Sequence, residues 1–363
     1  MQTTPKIKGA YLNYSSTNAK KSGIFNPSDA YPSNKKMRDG FTVFVDRICT
    51  IVHAPIGSQV IINSGSTESI SNCVFWARKY NKFGTIVGSE FDHKSIEENT
   101  KIHDMNYVQL DKLHDYELND NTSMIFITHV NSKTGEIFDV ESFTNELQKY
   151  EYLYEDNTHF TSDFILQYRP LLVLDVAQSI MKIPIDMEKW NINALFFSLH
   201  KLGGPIGFGV FIIAPTHDKI PKFTPLIAGS QQGSLRGGTW SLKTIAEMDL
   251  NSMFSKPDNP NKRKKIWEET KKYFEDNGLN VYTPKYKHLY NTFLIDTKDK
   301  CSLALIEMLA QRKIYVGNIS ACESELNSNE NHYIRISFRN PKELNMKVIE
   351  IIKNLLKKEL NIE

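Results

Sequence analysis

The stretch Asn193-Ala-Leu-Phe-Phe-Ser-Leu-His-Lys-Leu-Gly-Gly-Pro-Ile-Gly-Phe-Gly-Val-Phe-Ile-Ile213 decides how the chain is read. Its first five residues predict a buried strand, and the run from Ile206 to Ile213 predicts a second. Between them stands one lysine, Lys201, held between an apolar run and a glycine-rich turn. A lysine so placed is expected to be poorly solvated, which disfavours its ammonium form and opens its neutral, nucleophilic form. A Schiff-base lysine needs that state. Glycines at 203, 204 and 207 let backbone approach a bulky flat ligand. The same residues also read as a surface lysine in a hairpin loop, so the rest of the chain has to decide.

Working outward, Leu171-Leu-Val-Leu is a fully apolar strand closing on Asp175, with Gln178 three residues on. In open α/β sheets ligands lie beyond the carboxyl ends of strands. Asp175 would stand there, able to keep a ring nitrogen protonated; it reads equally as a helix-capping Asp. Val60-Ile-Ile-Asn is another strand, followed by Ser64-Gly-Ser-Thr-Glu68 and a helix with Ile70, Val74 and Ala77 on its apolar face. A strand, a small-residue turn and a helix N-terminus together make an anion site, with hydroxyls adding donors. A plain Ser/Thr cap is the competing reading. The strand 85–90 ends at Phe91-Asp-His93, where His93 could stack on a ring, move a proton, or be an ordinary loop residue. Residues 124–130 form a further strand, turning at 131–135 towards a helix at 140–150, and 149–160 read as a surface insertion. An amphipathic helix over 35–52 precedes all of these. Strands alternating with helices to about residue 215 predict an α/β fold: a large, mainly parallel sheet with helices on both faces.

Gly229–Thr239 is a long glycine-rich loop, and Ser255-Lys-Pro-Asp-Asn-Pro marks a domain junction. Beyond it, a helix at 266–276, strands near 281 and at 291–296, a helix at 302–312, strands at 314–316 and 333–338 and a last helix predict a smaller α+β unit. Asn340, Pro341 and Glu343 look like the last helix's cap; Leu344, Val348, Ile351, Ile352 and Leu355 form its stripe. The expected division is a large domain over 14–254 and a small one built from 1–13 and 255–363, carrying Cys322 and Arg335.

The 363 residues carry a net charge of +2, which gives no electrostatic case for nucleic acid or a membrane surface. No signal-peptide pattern or membrane-length apolar run is read. The 4 cysteines (49, 73, 301 and 322) show no paired spacing, so reduced thiols in a cytoplasmic, soluble protein are expected. No His/Cys/Asp spacing suits a metal.

Taken together, Tyr11-Leu-Asn-Tyr-Ser-Ser-Thr, Asn26-Pro-Ser, Ser64-Gly-Ser-Thr-Glu, His93-Lys-Ser, His129-Val-Asn with Gly135, Asp175-Val-Ala-Gln-Ser, Ser198-Leu-His-Lys and Leu235-Arg-Gly-Gly-Thr239 resemble the class V aminotransferase group. Near the end come Ser320-Ala-Cys322 and Ile334-Arg-Ile-Ser-Phe. Within that group they look most like the NifS/IscS cysteine desulfurases, from Tyr11 to the last helix. The resemblance implies the fold type I architecture of pyridoxal 5'-phosphate (PLP) enzymes, and a reaction taking L-cysteine to L-alanine with a persulfide on Cys322. It implies that Lys201 carries the cofactor and moves protons at the substrate α-carbon, that Asp175 holds the ring nitrogen, and that Gln178 bonds the ring oxygen. His93 would stack on the ring and assist proton transfer. Ser66, Thr67, Ser198 and His200 would hold the phosphate, completed by Thr239 of a second subunit, so a homodimer with shared active sites is implied. Arg335 would grip the substrate carboxylate, with Asn131 beside it. An exposed Cys322 can become a thiolate, while Cys49, Cys73 and Cys301 are expected to be core thiols. The sulfur acceptor protein is left unnamed.

Asn13, Ser132 and Gly203 depart from the family's usual residues, and the segment from Cys322 to Arg335 is shorter than in IscS-like chains. Alternatives on the same fold are a selenocysteine lyase, an aminotransferase, or a catalytically impaired NifS-like binding protein.

Overall fold

The computed structural model describes residues 35–113, 121–155, 170–215, 222–239, 241, 244–245, 247–255, 259–298, 300–318, 332–338 and 344–362. The larger part is a seven-stranded sheet. Its strands are β1 (Gln59–Asn63), β2 (Thr85–Ser89), β3 (Asn106–Leu110), β4 (Thr122–Thr128), β5 (Leu171–Asp175), β6 (Ala194–Ser198) and β7 (Gly209–Ile213). Their order is β1-β7-β6-β5-β4-β2-β3. From β3 to β6 every pairing is parallel. β7 runs against both of its neighbours, so β1 and β6 point the same way.

The apolar runs of β4 to β7 are buried at every residue, as a sheet covered on both faces requires. Alternate residues divide between two cores with the period of a strand. Leu172, Leu174, Leu195, Phe197, Val210 and Ile212 face one, where α1 (Lys35–Ile51) brings Phe44 and Ile48 and α4 (Val140–Glu155) brings Phe143. Leu171, Val173, Ala194, Phe196, Phe211 and Ile213 face the other, against Val74 and Trp76 of α2 (Ser66–Tyr80) and Ile96 of α3 (Ser95–Ile102). This is the α/β architecture read from the sequence. β3 is an addition: four of its five residues are polar or exposed, so no apolar run announced it.

The smaller part is an antiparallel sheet of order β8-β10-β9. Its strands are β8 (Thr292–Asp296), β9 (Gly317–Asn318) and β10 (Tyr333–Ser337). They pack on α5 (Pro260–Asp276), α6 (Ser302–Ala310) and α7 (Met346–Glu359) around Trp267, Phe274, Phe293, Leu309 and Ile352. Several sequence expectations shift here. α5 starts six residues early, because Asn259 caps it and Pro260 occupies its first turn. Val281 makes only an isolated bridge to Ile295. Residues 314–316 are not a strand: the Ile314 N–H turns back to the Leu309 carbonyl, and Tyr315 is exposed. α7 is capped by Asn345, whose side chain accepts from the Val348 N–H, rather than by Asn340, which lies outside the described residues. Its buried stripe is Ile349, Ile352, Leu355 and Leu356, with Val348 and Ile351 only half-buried. α4 runs on through Glu155, so the start of the expected surface insertion is helix. Cys73 is buried, but Cys49 is half-buried and Cys301, at the N-cap of α6, is exposed rather than core.

Two contacts fix β1 in place. The Gln232 side-chain amide donates to the Ile62 carbonyl at 2.8 Å and accepts from its N–H at 2.7 Å, standing in for a further strand. Gly209 of β7 lets backbones meet: a Cβ there would lie 2.4 Å from Asn63 Oδ1 and 2.6 Å from Gly65 Cα. Gly209→Ala is therefore expected to destabilise the fold by about 1–3 kcal/mol, read as a lower denaturant midpoint at unchanged slope. An unchanged midpoint would mean that β1 yields freely.

Candidate functional site

The C-terminal ends of β1, β2, β4, β5 and β6 lie along one edge of the sheet, and the polar motifs follow those ends. At β1, Asn63 Oδ1 accepts from the Gly65 N–H at 3.0 Å, and Gly65 takes φ 148°, a glycine conformation. Ser66 then opens α2, its N–H donating to Ser198 Oγ at 2.9 Å, with the two hydroxyls also 2.9 Å apart. Ser198 ends β6, so one clasp joins two strand ends into a small cup of hydroxyls at a helix N-terminus. Thr67 follows, exposed.

Beyond Ser198 a single 3-10 turn, Leu199–Leu202, buries its two leucines and leaves His200 and Lys201 exposed. The expected desolvation of Lys201 is thus not supplied by this chain: the apolar neighbours point into the core and the lysine points out. What burial His200 has, and then the Lys201 charge, lower its pKa. Gly203 adopts φ 80°, so its departure from the family's larger residue follows from the turn it must make. Gly204 serves packing rather than a ligand, since a Cβ there would lie 2.9 Å from Met253 Cε.

Asp175 ends β5 and is buried. Its Oδ1 accepts from the Ala177 N–H at 2.8 Å. Burial pushes its pKa up to about 6, against the pull of that N–H and of the Lys201 charge. Gln178 is half-buried, its amide oxygen accepting from Lys182 Nζ at 3.3 Å. At the end of β2, His93 Nδ1 accepts from the Ser95 N–H at 3.2 Å and lies 2.7 Å from its hydroxyl. An accepting Nδ1 places the proton of the neutral ring on Nε2.

After β4, the Asn131 side chain accepts from the N–H groups of Lys133 and Thr134, fixing its own turn. Arg335, half-buried on β10, reaches this turn from the smaller sheet: its Nη1 donates to the Ser132 carbonyl at 3.0 Å. Thr239 is exposed, on a loop anchored by Arg236, which makes a two-pronged pair with Glu68 (2.9 and 3.2 Å). Burial opposes the Glu68 charge, but Arg236 and Ser64 outweigh it and hold the carboxyl below its ordinary value. Cys322 and Asn13 lie outside the described residues. Among the described residues there is no metal-binding cluster and no helix long and apolar enough to cross a membrane.

The structure therefore brings Ser66, Ser198, Lys201 and Asp175 to one edge, with His93 and Asn131 on neighbouring strand ends and Arg335 against the 131–135 turn. Sequence reading missed Asp92, beside His93, whose carboxyl is held by Thr128 at 2.6 Å and Tyr107 at 3.1 Å. The available signal was a second polar residue at a strand end, eclipsed by the histidine after it.

Residues 160–248 match the aminotransferase class-V family model. The chain is 27% identical over 226 residues to the cysteine desulfurase IscS of Plasmodium falciparum, covering 58% of this chain and 37% of that protein. It is 25% identical over 229 residues to the IscS of Buchnera aphidicola, covering 59% and 52%. The chain thus spans between a third and about half the length of these relatives. A solved NifS-like protein from Rickettsia africae superposes with a TM-score of 0.72 at 20% identity, over 93% of this chain and 92% of that one. The fold is that of the solved NifS-like proteins. In sequence the chain is similar to these IscS proteins, and its residues 160–248 to the class V aminotransferases.

One buried group in this frame predicts a pH response. His129 Nδ1 has no hydrogen-bond partner among the described residues, and its ring packs edge-on to Trp190, whose Nε1 is also unpartnered. Burial lowers its pKa to about 4, with Asp139 opposing. The unfolded chain protonates this histidine near its ordinary value while the folded chain resists, so stability is lost as pH falls from about 6.5 to 4. His129→Phe is expected to gain on the wild type by roughly 3 kcal/mol across that window, measured by urea unfolding at each pH. A constant difference would assign the pH response elsewhere.

Proposed function

We propose that this chain is a PLP-dependent cysteine desulfurase that converts L-cysteine to L-alanine and leaves the sulfur on Cys322 as a persulfide. The observation that carries the reading is that the buried Asp175 ends β5 and Lys201 follows the end of the neighbouring strand β6, on the edge that holds the Ser66–Ser198 cup. The named relatives support it, as cysteine desulfurases. The residues present fit the cofactor. Gly65 leaves the cup without a Cβ in a backbone conformation that side chains avoid, and Asp175 offers a buried carboxyl at a strand end.

When bound, the cofactor supplies an electron sink for the bonds around the substrate's α-carbon. The chain's own residues do the rest. Ser66, Thr67, Ser198 and His200 hold the phosphate through hydroxyls, a ring N–H and the N-terminus of α2. Asp175 provides the negative partner of the ring nitrogen, and Gln178 bonds the ring oxygen. His93 would stack on the ring face and assist proton transfer. Lys201 tethers the cofactor and moves a proton at the α-carbon, and its exposure leaves it free to swing. Arg335 takes the substrate carboxylate, with Asn131 shaping the turn beside it. The carbon–sulfur bond of L-cysteine breaks, its sulfur joins the Cys322 thiolate, and alanine leaves with a proton in sulfur's place.

In this reading Thr239 completes the phosphate site of a second copy, so the working unit is a cytoplasmic homodimer with shared sites. The division is a large domain over 14–254 and a small one from 1–13 and 255–363, and a sulfur acceptor protein removes the persulfide.

With PLP, the purified chain is expected to gain a visible absorbance band and to release sulfide from L-cysteine in the presence of a thiol reductant. Lys201→Ala loses the band. Cys322→Ser keeps it, and sulfide release drops by more than roughly a hundredfold. Undiminished release from Cys322→Ser, or colour retained in Lys201→Ala, would overturn the assignment of those roles.

A further inference from the structure

Asp92 has no part in that chemistry, yet its carboxyl is tied by several donors on the edge. Thr128 Oγ1 of β4 donates to Oδ1 at 2.6 Å, and Tyr107 of β3 donates to Oδ2 at 3.1 Å. The Ser89 N–H at the end of β2 donates to Oδ2 at 3.1 Å, with the Ser89 hydroxyl 3.5 Å from Oδ1. Gly88 makes the seat: a Cβ there would stand 2.0 Å from Oδ2. Ser89 Oγ in turn accepts from the Phe91 N–H, so the whole turn leading into His93 closes on this carboxyl. On its other side, Thr128 is the strand partner of Asp175, and the His129 N–H donates to the Asp175 carbonyl at 3.1 Å. One carboxyl is thus a single hydrogen bond from the His93 turn and a single strand pairing from Asp175.

We propose that Asp92 is a positioning residue of the ring-binding edge: it fixes the turn that carries His93, and its carboxyl and that of Asp175 ionise as a coupled pair across β4. The groups around it are consistent with such a pair. Burial pushes Asp92 up to about 7, its three donors pull it down, and the Asp175 charge pushes it up again. Tyr107 is itself raised by burial and by Asp92, with Glu97 of α3 adding to it. Lys201 acts on Asp175 from the far side, and Ser89 and Thr128 bring no charge. Asp175 therefore ionises first, and Asp92 keeps its proton until about neutrality, chiefly because it is buried and further because its neighbour is already charged. A cation set against Asp175 weakens that hold, so uptake of a cofactor through a protonated ring nitrogen expels a proton from Asp92. This consequence rests on the cofactor reading above; the pairing does not.

The test is a carboxyl titration of the full, cofactor-free chain, carrying carbon-13 at the aspartate side-chain carboxyls. Asp92→Asn and Asp175→Asn assign the two steps. Asp175→Asn is expected to lower the Asp92 midpoint by roughly one pH unit, and Tyr107→Phe, which removes a donor to the charged form, is expected to raise it. A midpoint unmoved by Asp175→Asn overturns the pairing; if that variant does not fold, a midpoint unmoved by the equally neutral Asp175→Ser does so. A second arm measures proton release on PLP binding at pH 6.5 by calorimetry in buffers of different ionisation enthalpy. Release by the wild type and its loss in Asp92→Asn support the proposal, and equal release from both overturns it. If the wild type takes up no PLP, the proposed function falls while the titration still decides the pairing.

Discussion

The whole molecule is organised by the burial of the central strands on both faces. β4, β5, β6 and β7 have no exposed residue, and an uncompensated polar group inside such a sheet costs several kcal/mol at worst, about 1–3 by mutational experience. Polar chemistry is thereby driven to the strand ends. Because β1, β2, β4, β5 and β6 share a direction, their ends share an edge. The cup at Ser66, the carboxyl at Asp175 and the lysine at 201 are neighbours for that reason, although more than a hundred residues separate the first from the last. The reversed strand β7 matters as much. It brings Gly209 against Gly65, and that backbone contact sets how closely the Ser66 and Ser198 hydroxyls approach.

Electrostatically the edge is a balance rather than a stack of favourable pairs. Asp175 gives up hydration on burial and recovers part of it from one N–H and from Lys201. Asp92 gives up hydration too and gathers three donors. Near neutrality Asp175 is charged and Asp92 only partly so, and the Lys201 charge acts on Asp175. The Glu68–Arg236 pair follows the same logic at the other end. A carboxylate in the first turn of α2 would repel a phosphate, but the guanidinium beside it cancels that charge and pins the 229–239 loop at the same time.

How much was legible beforehand depended on whether burial spoke through the sequence. Leu171–Leu174 and Phe196-Phe197 have to be interior strands, because a double-sided burial leaves no room for alternation. β3 was not legible: Asn106 to Leu110 flank the sheet, are wet on one side, and carry no apolar run. Ile314-Tyr-Val has strand propensity but serves as the turn after α6, because the chain must double back at once to reach β9. Asn340-Pro-Lys-Glu343 mimics a helix start that the chain makes at Asn345. At the site, the residue types and order were readable, but solvation was not. Lys201 lies in an apolar sequence and points outward, since the 3-10 turn rotates Leu199 and Leu202 inward in its place. Asp92 was passed over for a different reason: two of its partners, Tyr107 and Thr128, come from other strands, 15 and 36 residues on.

The link between the two sheets shows how little freedom the Arg335 end of the edge has. Glu136 is buried and accepts from the N–H groups of Lys285 and Tyr286 and from the Thr134 hydroxyl. Ile137 donates to the Lys287 carbonyl and Leu289 to the Gly135 carbonyl. This is a short backbone ladder, and backbone bonds shielded from water are costly to break piecemeal. The 131–137 turn is therefore continuous with the segment that leads into β8, and β8 is the strand against which Arg335 is registered, opposite Leu294. The guanidinium then returns to the same turn at Ser132. The loop closes on itself: the turn positions the strand, and the strand's arginine braces the turn. An arginine held in this way reaches towards the sheet edge with its fork already oriented, so a carboxylate arriving there would bind without first having to order the side chain.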